Sequence, residues 1–316
     1  MPTLHVDTDC PICGSAASLL GHSLVAPFLS QLSRLDLGQP STYRNCDTCD
    51  LTFFDLRYGD NEMSSLYGAY RSQQYLDIRH HWEPWYSRNV NDAYSIDAAL
   101  VENRRDFMMS ILQHSPLGST IDCAIDFGGD EGQFFPDISI SRRVVCDVSN
   151  RQLPPGIEHI FSLDELGRTK ANLIIVAHVL EHLPDPLTPL EDVRRVIADD
   201  GIVYVEVPLD RFRVHPFHAS TRYKRFLQWL AHHRLLLIVL DFLTGMSRQF
   251  SLAIPRFGVI KQSEHINYFS GRSLRALLAA SGFLVIAERS DSKMKVGGLR
   301  IGSYGVAAMP DLEMTS

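Results

Sequence analysis

The chain has 316 residues, 45% of them hydrophobic and 21% charged, with a formal net charge of −7 and a pI of about 6.0. That is ordinary globular composition, and its acidic balance speaks against a general nucleic-acid binder, which would carry a basic surplus. The start, MPTLHVDTDC, lacks the basic and apolar regions of a secretory leader. The longest strongly apolar run, Leu235 to Leu240, is far short of the roughly 20 residues a membrane span takes. A cytoplasmic protein without a membrane span is expected.

Four of the six cysteines come first, as two pairs: CPIC (Cys10, Cys13) and CDTC (Cys46, Cys49). A Cys-x-x-Cys turn presents two thiolates on one knuckle, and two knuckles complete the tetrahedron of a zinc ion. Gly14 suits the tight backbone behind the first knuckle. A redox Cys-x-x-Cys normally stands alone beside a βαβ pattern. Structural Zn2+ held by Cys10, Cys13, Cys46 and Cys49 is therefore expected, in a zinc-ribbon-like module over residues 1–60 with no open coordination position for chemistry. Cys123 and Cys146 sit in apolar runs and read as small buried hydrophobes.

Residues 61–115 read as a helical linker rich in Tyr, Trp and His. Its best-patterned part, Ala93 to His114, puts Ile96, Leu100, Phe107 and Ile111 on one helical face, with Val101 and Met108 beside it. Pro116 and Gly118 end that helix. His80, His81, Trp82, Trp85 and Tyr86 could line a pocket for a sugar or aromatic ring; ordinary packing is the plainer alternative.

From residue 120 strands and helices alternate. Strands are predicted at 121–127, 142–148, 157–161, 171–177 and 202–208. A short helix is predicted from Glu131 to Asp137, and a longer one from Asp185-Pro186 to about Ala198. Residues 209–262 break the rhythm with one or two helices of large apolar load. This insertion reads as a substrate lid; a dimer surface is an alternative, and interfacial membrane contact a lesser one because of its charged face and short apolar run. A helix capped by Ser270 and stopped at Gly282 follows, then strands at 283–289 and 299–309. Such alternation implies a parallel sheet with helices on both faces, which binds ligands beyond the carboxyl ends of its strands.

The stretch IDFGGDEGQFF, Ile125 to Phe135, lies at such an end. Three glycines in five residues allow close backbone approach to a ligand. Asp130 and Glu131 in the same loop would repel a pyrophosphate, and the G-x-G-x-x-G pattern of a dinucleotide site is missing.

Four features in order resemble the class I S-adenosylmethionine (SAM) dependent methyltransferases. They are AIDFGGDEG, similar to the family's apolar-D-x-G-x-G-x-G loop; Asp147 at the end of the second strand; NLIIVAHVLEHLPDP (172–186); and EHINYFSGRSLRALLAASGF (264–283). The resemblance implies a Rossmann-like, seven-stranded, mostly parallel sheet with helices on both faces, in a SAM-binding domain over 116–316 that carries the 209–262 insertion. SAM has a sulfonium and an amino-acid head but no phosphate, so acids in the loop are tolerable.

By resemblance, Asp126, Phe127, Gly128, Gly129, Asp130 and Gly132 shape the cofactor loop, and Asp147 with Val148 meets the ribose. Asp164 is a weaker candidate for the adenine edge, with a solvated surface acid as the alternative. Ala177 and His178 close the cofactor side. Asp130 stands where the family has its middle glycine, and Asp tolerates left-handed backbone better than most residues.

The expected catalytic residues are His178, Glu181, His182 and His265, with His178 foremost for contact with the reacting centre. Ubiquinone-pathway O-methyltransferases are similar in this block but carry Glu where His178 stands, and their acids and His are linked to a divalent metal. An additional divalent metal on His178, Glu181 and His182 is one reading; backbone hydrogen bonds that hold the loop are the other. The implied partner is a small-molecule acceptor, a sugar or nucleotide sugar of polysaccharide or natural-product biosynthesis, and a homodimer is compatible. A catalytically silent SAM-binding protein is the competing reading.

Overall fold

The computed structural model describes residues 4–68, 70, 72–91, 98–149, 152–210, 213–250, 252–296 and 299–313. The amino-terminal part contains β1 (His5–Val6), β2 (Ser18–Val25), α1 (Pro27–Leu32), β3 (Pro40–Asn45), β4 (Thr52–Phe54) and β5 (Leu56–Arg57). Helices α2 (Asp60–Gly68), α3 (Gln73–Trp82) and α4 (Ala98–Leu112) lead into the alternating region. Residues 92–97 of the predicted Ala93–His114 helix, Ile96 among them, lie outside the described residues.

Five parallel strands follow: β6 (Thr120–Phe127), β7 (Ser139–Cys146), β8 (Ile157–Ile160), β9 (Ala171–Ala177) and β10 (Ile197–Pro208), with α5 (Leu187–Val196) between the last two. The insertion forms α6 (Thr221–Ala231) and α7 (Arg234–Gln249). Then come β11 (Lys261–Gln262), β12 (Asn267–Tyr268), α8 (Gly271–Ala280), β13 (Phe283–Val296) and β14 (Leu299–Pro310).

The main sheet has seven strands in the order β13-β14-β10-β9-β6-β7-β8, and β14 alone runs against the others. Its central strands are apolar on both faces, as a covered parallel sheet demands. On one face Ile125, Ile174 and Val203 pack with Leu190 and Val193 of α5 and Leu274 and Leu277 of α8. On the other, Leu173, Ile175 and Ile202 pack with Phe107, Met108 and Ile111 of α4. This is the architecture expected from the sequence.

The predicted helix from Glu131 to Asp137 is a correction: this segment forms turns. Gly132 sits at φ +70°, and Pro136 cannot donate within a helix. Too few residues remain between them to nucleate one.

The second sheet joins the two ends of the sequence. Its order is β11-β2-β3-β4-β12, so one strand from the end of the insertion and one from just beyond it flank three amino-terminal ones. The two-cysteine turns pack into the same apolar cluster as Phe269 and Leu274. The amino-terminal region is thus seated directly over the start of α8.

Candidate functional site

A cleft of about 2210 Å³ lies past the carboxyl ends of β6, β7, β9 and β10, between the main sheet, the α3 region and the insertion. At its floor the glycine loop turns sharply. Gly128 has φ +70°, and a Cβ there would stand 2.5 Å from Val179 Cγ2. A Cβ on Gly129 would overlap the Asp126 carboxyl group, so the loop folds directly over that side chain. Asp130 takes φ +50° and donates its N–H to Asp147 Oδ2 at 3.0 Å. The unusual Asp in the loop thus occupies left-handed backbone and ties the first strand end to the second.

Asp126 is buried, and its Oδ2 has no hydrogen-bond partner. Burial pushes its pKa up to about 7; Arg104 opposes the shift, while Asp147 and Asp130 add to it. Asp147 accepts from Ser149 N at 2.7 Å as well as from Asp130. Each of its oxygens has one such bond and retains acceptor capacity, and the residue lines the cleft. Val148, 74% exposed, and Phe161, 54% exposed, are apolar walls beside it. Asp164 sits on a 3-10 turn after β8, outside the cleft lining, with its carboxylate 3.9 Å from Arg195.

The second corner of the cleft is built on the loop after β9. His178 is in left-handed backbone at φ +58°. Its Nε2 lies 3.0 Å from Glu206 Oε1 and its Nδ1 3.3 Å from Glu181 Oε1. Burial and Arg104 both disfavour charge on this ring, but the bonds to Glu181 and Glu206 outweigh them and raise its pKa. Burial likewise works against ionised Glu206, yet Arg104 and His178 hold it down to about 2. Tyr204 donates its hydroxyl to Glu206 Oε2 at 2.9 Å.

Glu181 is wholly buried, and neither carboxylate oxygen makes a well-angled hydrogen bond. Its Oε1 lies 3.9 Å from His182 Nε2 and 4.0 Å from His265 Nε2. Despite burial, His178 holds its pKa down to about 2, with His182 and His265 adding to the effect. His182 donates Nδ1–H to the Glu264 carbonyl at 3.2 Å, which leaves the Nε2 lone pair toward Glu181. Burial, reinforced by His265, lowers the His182 pKa to about 4, so the ring is neutral near pH 7.

The backbone reading of this loop also has direct geometry. The Glu181 carbonyl accepts from Ile266 N at 2.8 Å and Asn267 N at 3.0 Å. Asn267 Nδ2 donates to Leu180 O at 3.1 Å and Leu183 O at 2.8 Å. Glu181, His182 and His265 form the donor group whose ligand atoms lie within 4.8 Å of one another; His178 stands outside that set.

Asp126, Phe127, Gly128, Gly129, Asp130, Asp147, Val148, Ala177, His178, Glu181, His182 and His265 therefore share one cleft, and Asp164 does not. Gly132 lies behind the loop, where a Cβ would meet Val145 Cγ2 at 2.9 Å. Trp85 and Tyr86 line the cleft; His80, His81 and Trp82 are outside its lining. Sequence reasoning missed Glu206, Arg104 and Asn267. Glu206 had a signal: an acid near the carboxyl end of an otherwise apolar strand. Arg104 had none, since it is one of several charges on its helix.

The four cysteines converge. Cys10 and Cys49 sulfurs are 3.4 Å apart and those of Cys13 and Cys46 3.5 Å, with all four inside 4.8 Å. Zn–S bonds of about 2.3 Å set a tetrahedral edge of about 3.8 Å, close to this spacing. The two knuckles are alike in backbone. Gly14 and Asp50 each follow a pair at φ +65°, donating to Cys10 O at 2.9 Å and Cys46 O at 2.7 Å. The hydrogen bond from Cys49 holds the Cys10 thiol down to about 5, and the same bond pushes Cys49 up. The donor set fits a closed structural site.

Residues 100–288, more than half of the chain, match a family model described as a methyltransferase domain. No curated protein matches the sequence. Among solved structures, the chain is similar to the N-methyltransferase NodS of Bradyrhizobium japonicum WM9 at 12% identity and TM-score 0.38, over 68% of this chain and 98% of that one. A Bacillus halodurans C-125 protein matches at 9% identity and TM-score 0.41, over 65% and 99%. The [4+2]-cyclase SpnF matches at 11% identity and TM-score 0.38, over 65% and 80%.

Proposed function

This chain belongs to the methyltransferase-domain family, and on that premise we propose that it is a SAM-dependent methyltransferase acting on a small molecule, a sugar or nucleotide sugar. The observation that carries the reading is the orphaned Asp126 oxygen under a loop with no room for a Cβ at Gly128 or Gly129, in the same cleft as Asp147. A buried carboxylate with an unmet acceptor suits an ammonium group. Asp147, with its spare acceptor capacity, suits ribose hydroxyls. Val148 and Phe161 give an adenine ring apolar surface. When bound, SAM supplies a methyl group already activated by its sulfonium.

The protein's own contribution is position and proton handling. His178, clamped between two carboxylates that raise its pKa, is held in a fixed orientation at the cleft wall. His182 keeps a neutral Nε2 beside Glu181 and His265, a lone pair that can accept a hydrogen bond from an acceptor hydroxyl. Trp85, Tyr86, Tyr67 and Tyr70 line the acceptor side, and such rings stack on the apolar faces of sugars. In this reading residues 1–60 are a scaffold with Zn2+ on Cys10, Cys13, Cys46 and Cys49, residues 61–115 a linker, 116–316 the catalytic domain and 209–262 its lid.

The unsatisfied Glu181 oxygens favour a second reading of the same corner. Glu181, His182 and His265 are a two-His, one-carboxylate donor set suited to a divalent ion that would orient acceptor hydroxyls. Metal analysis of a variant lacking Cys10 and Cys46 separates this site from the thiolate one.

Calorimetry with SAM and S-adenosylhomocysteine, followed by mass analysis of nucleotide sugars incubated with enzyme and SAM, tests the proposal. Binding of both nucleosides and a methylated sugar are expected. Binding without turnover on any sugar would favour the silent SAM-binding protein. Preference for a pyrophosphate coenzyme would overturn the cofactor assignment.

A further inference from the structure

Helix α7 is oriented the wrong way round for a helix that faces water. Its buried residues are Leu237, Asp241 and Thr244. Asp241 is paired with Lys261 at 2.5 Å, and Thr244 Oγ1 accepts from Val259 N at 2.8 Å. The inward face is thus held partly by polar contacts. The opposite face is Leu235, Leu236, Val239, Phe242, Leu243 and Met246, each between 40% and 75% exposed. At 3.6 residues per turn these six fall within an arc of about 120°. An ordinary surface helix turns such an arc toward the core.

The stripe does not stand alone. Of eighteen large hydrophobic residues exposed among the described residues, ten lie between Trp229 and Phe257. So strong a concentration marks a surface that is covered by something.

The charge around it identifies the cover. From Thr221 to Phe257 there are six basic residues, of which Arg248 is paired with Asp210 in the cleft and Arg222, Lys224, Arg225, Arg234 and Arg256 remain for the rim; the one acid is the buried and paired Asp241. The whole chain is at −7, so this segment is a local reversal of sign. On α6, Arg222, Arg225 and Trp229 share a face by helical spacing. Trp229 stacks on His233 at 4.0 Å, at the head of α7, so the basic and apolar surfaces adjoin.

A second copy of this chain would bring the same patch against itself about a two-fold axis. The basic rim would then meet like charge, with no exposed acid in the segment to answer it. An anionic lipid surface supplies hydrocarbon for the stripe and negative headgroups for the rim. No described helix is long and apolar enough to cross a membrane, which fits a helix lying in the interface.

We infer that the outer face of α7, with the adjoining end of α6, docks on the surface of an anionic lipid bilayer. The inward edge of α7 lines the cleft with Gly245, Arg248 and Gln249, so the docked cleft opens beside the lipid surface. This inference does not rest on the methyltransferase reading.

Co-sedimentation of the full chain with phosphatidylcholine vesicles, and with vesicles of equal phosphatidylcholine and phosphatidylglycerol, tests it. Binding to the anionic vesicles, weakened by salt, is expected, with a blue shift of tryptophan emission. Arg222→Gln with Arg225→Gln should weaken partitioning roughly 20–30-fold. Leu235→Glu with Val239→Glu and Leu243→Glu should abolish it, while circular dichroism shows an unchanged fold. Failure of the unaltered protein to bind anionic vesicles would overturn the inference. So would a dimer in sedimentation velocity that the triple variant converts to monomer while vesicle binding is unaffected.

Discussion

Glu206 Oε1 stands 3.0 Å from Nε2 of His178, a residue 28 positions earlier and on the neighbouring strand's loop. With Glu181 on the other ring nitrogen, this pairing fixes the imidazole at the wall of the cleft and raises its pKa. Glu206→Gln should cost about 3–5 kcal/mol, since it leaves a buried partner uncompensated. Urea unfolding near pH 7 measures this. The Glu206 contribution is present above its unfolded pKa of 4.5 and is lost as pH falls toward about 2, so the gap between wild type and variant should close in acid.

Asp126 behaves in the opposite sense. Its folded pKa is raised from 3.8 to about 7, so ionising it costs stability as pH rises through that window. A cationic ligand on its free oxygen would favour the ionised form. SAM affinity should therefore rise as pH increases from 6 to 8, with proton release on binding in calorimetry near pH 7. Asp126→Asn should bind more weakly and with a flat profile; a wild-type affinity that falls with pH over this range would refute the assignment.

Gly128→Ala meets two obstacles, left-handed backbone and a contact of 2.5 Å with Val179. The combined strain should be about 2–4 kcal/mol. A lower melting temperature and weaker SAM binding are expected, with Val179→Ala restoring part of both.

The cysteine cluster should carry about one zinc per chain, lost in Cys46→Ser. Its knuckles pack with α8, and Ser270 Oγ donates to Asp50 O at 3.2 Å. Metal loss should therefore lower the main thermal transition, as calorimetric scans of wild type and variant would show.

Much of this was legible in the residues. Runs such as ANLIIVA could only be covered strands, and the two Cys-x-x-Cys pairs declared their own convergence. Asp126, Asp147 and the HVLEH block share a cleft because strand ends in a parallel sheet are necessarily neighbours. What could not be read came from distant chain. The partners of His178 depend on the register between β9 and β10, which brings Ala177 opposite Glu206. The absence of a helix after the glycine loop follows from the left-handed backbone of Gly132 and from Pro136, which leave too short a run between them. The orientation of α7 was hidden because its apolar residues are periodic whichever way the helix faces, and the Asp241–Lys261 pair fixes the choice.

The five-stranded sheet has a consequence for synthesis on the ribosome. Strand β2 ends at Val25, but its flanking neighbour β11 begins at Lys261. At about 5–20 residues per second, the early strands wait on the order of tens of seconds for their outer companions. Throughout that interval the nascent segment has two open borders, which close only once β11 and β12 have been made.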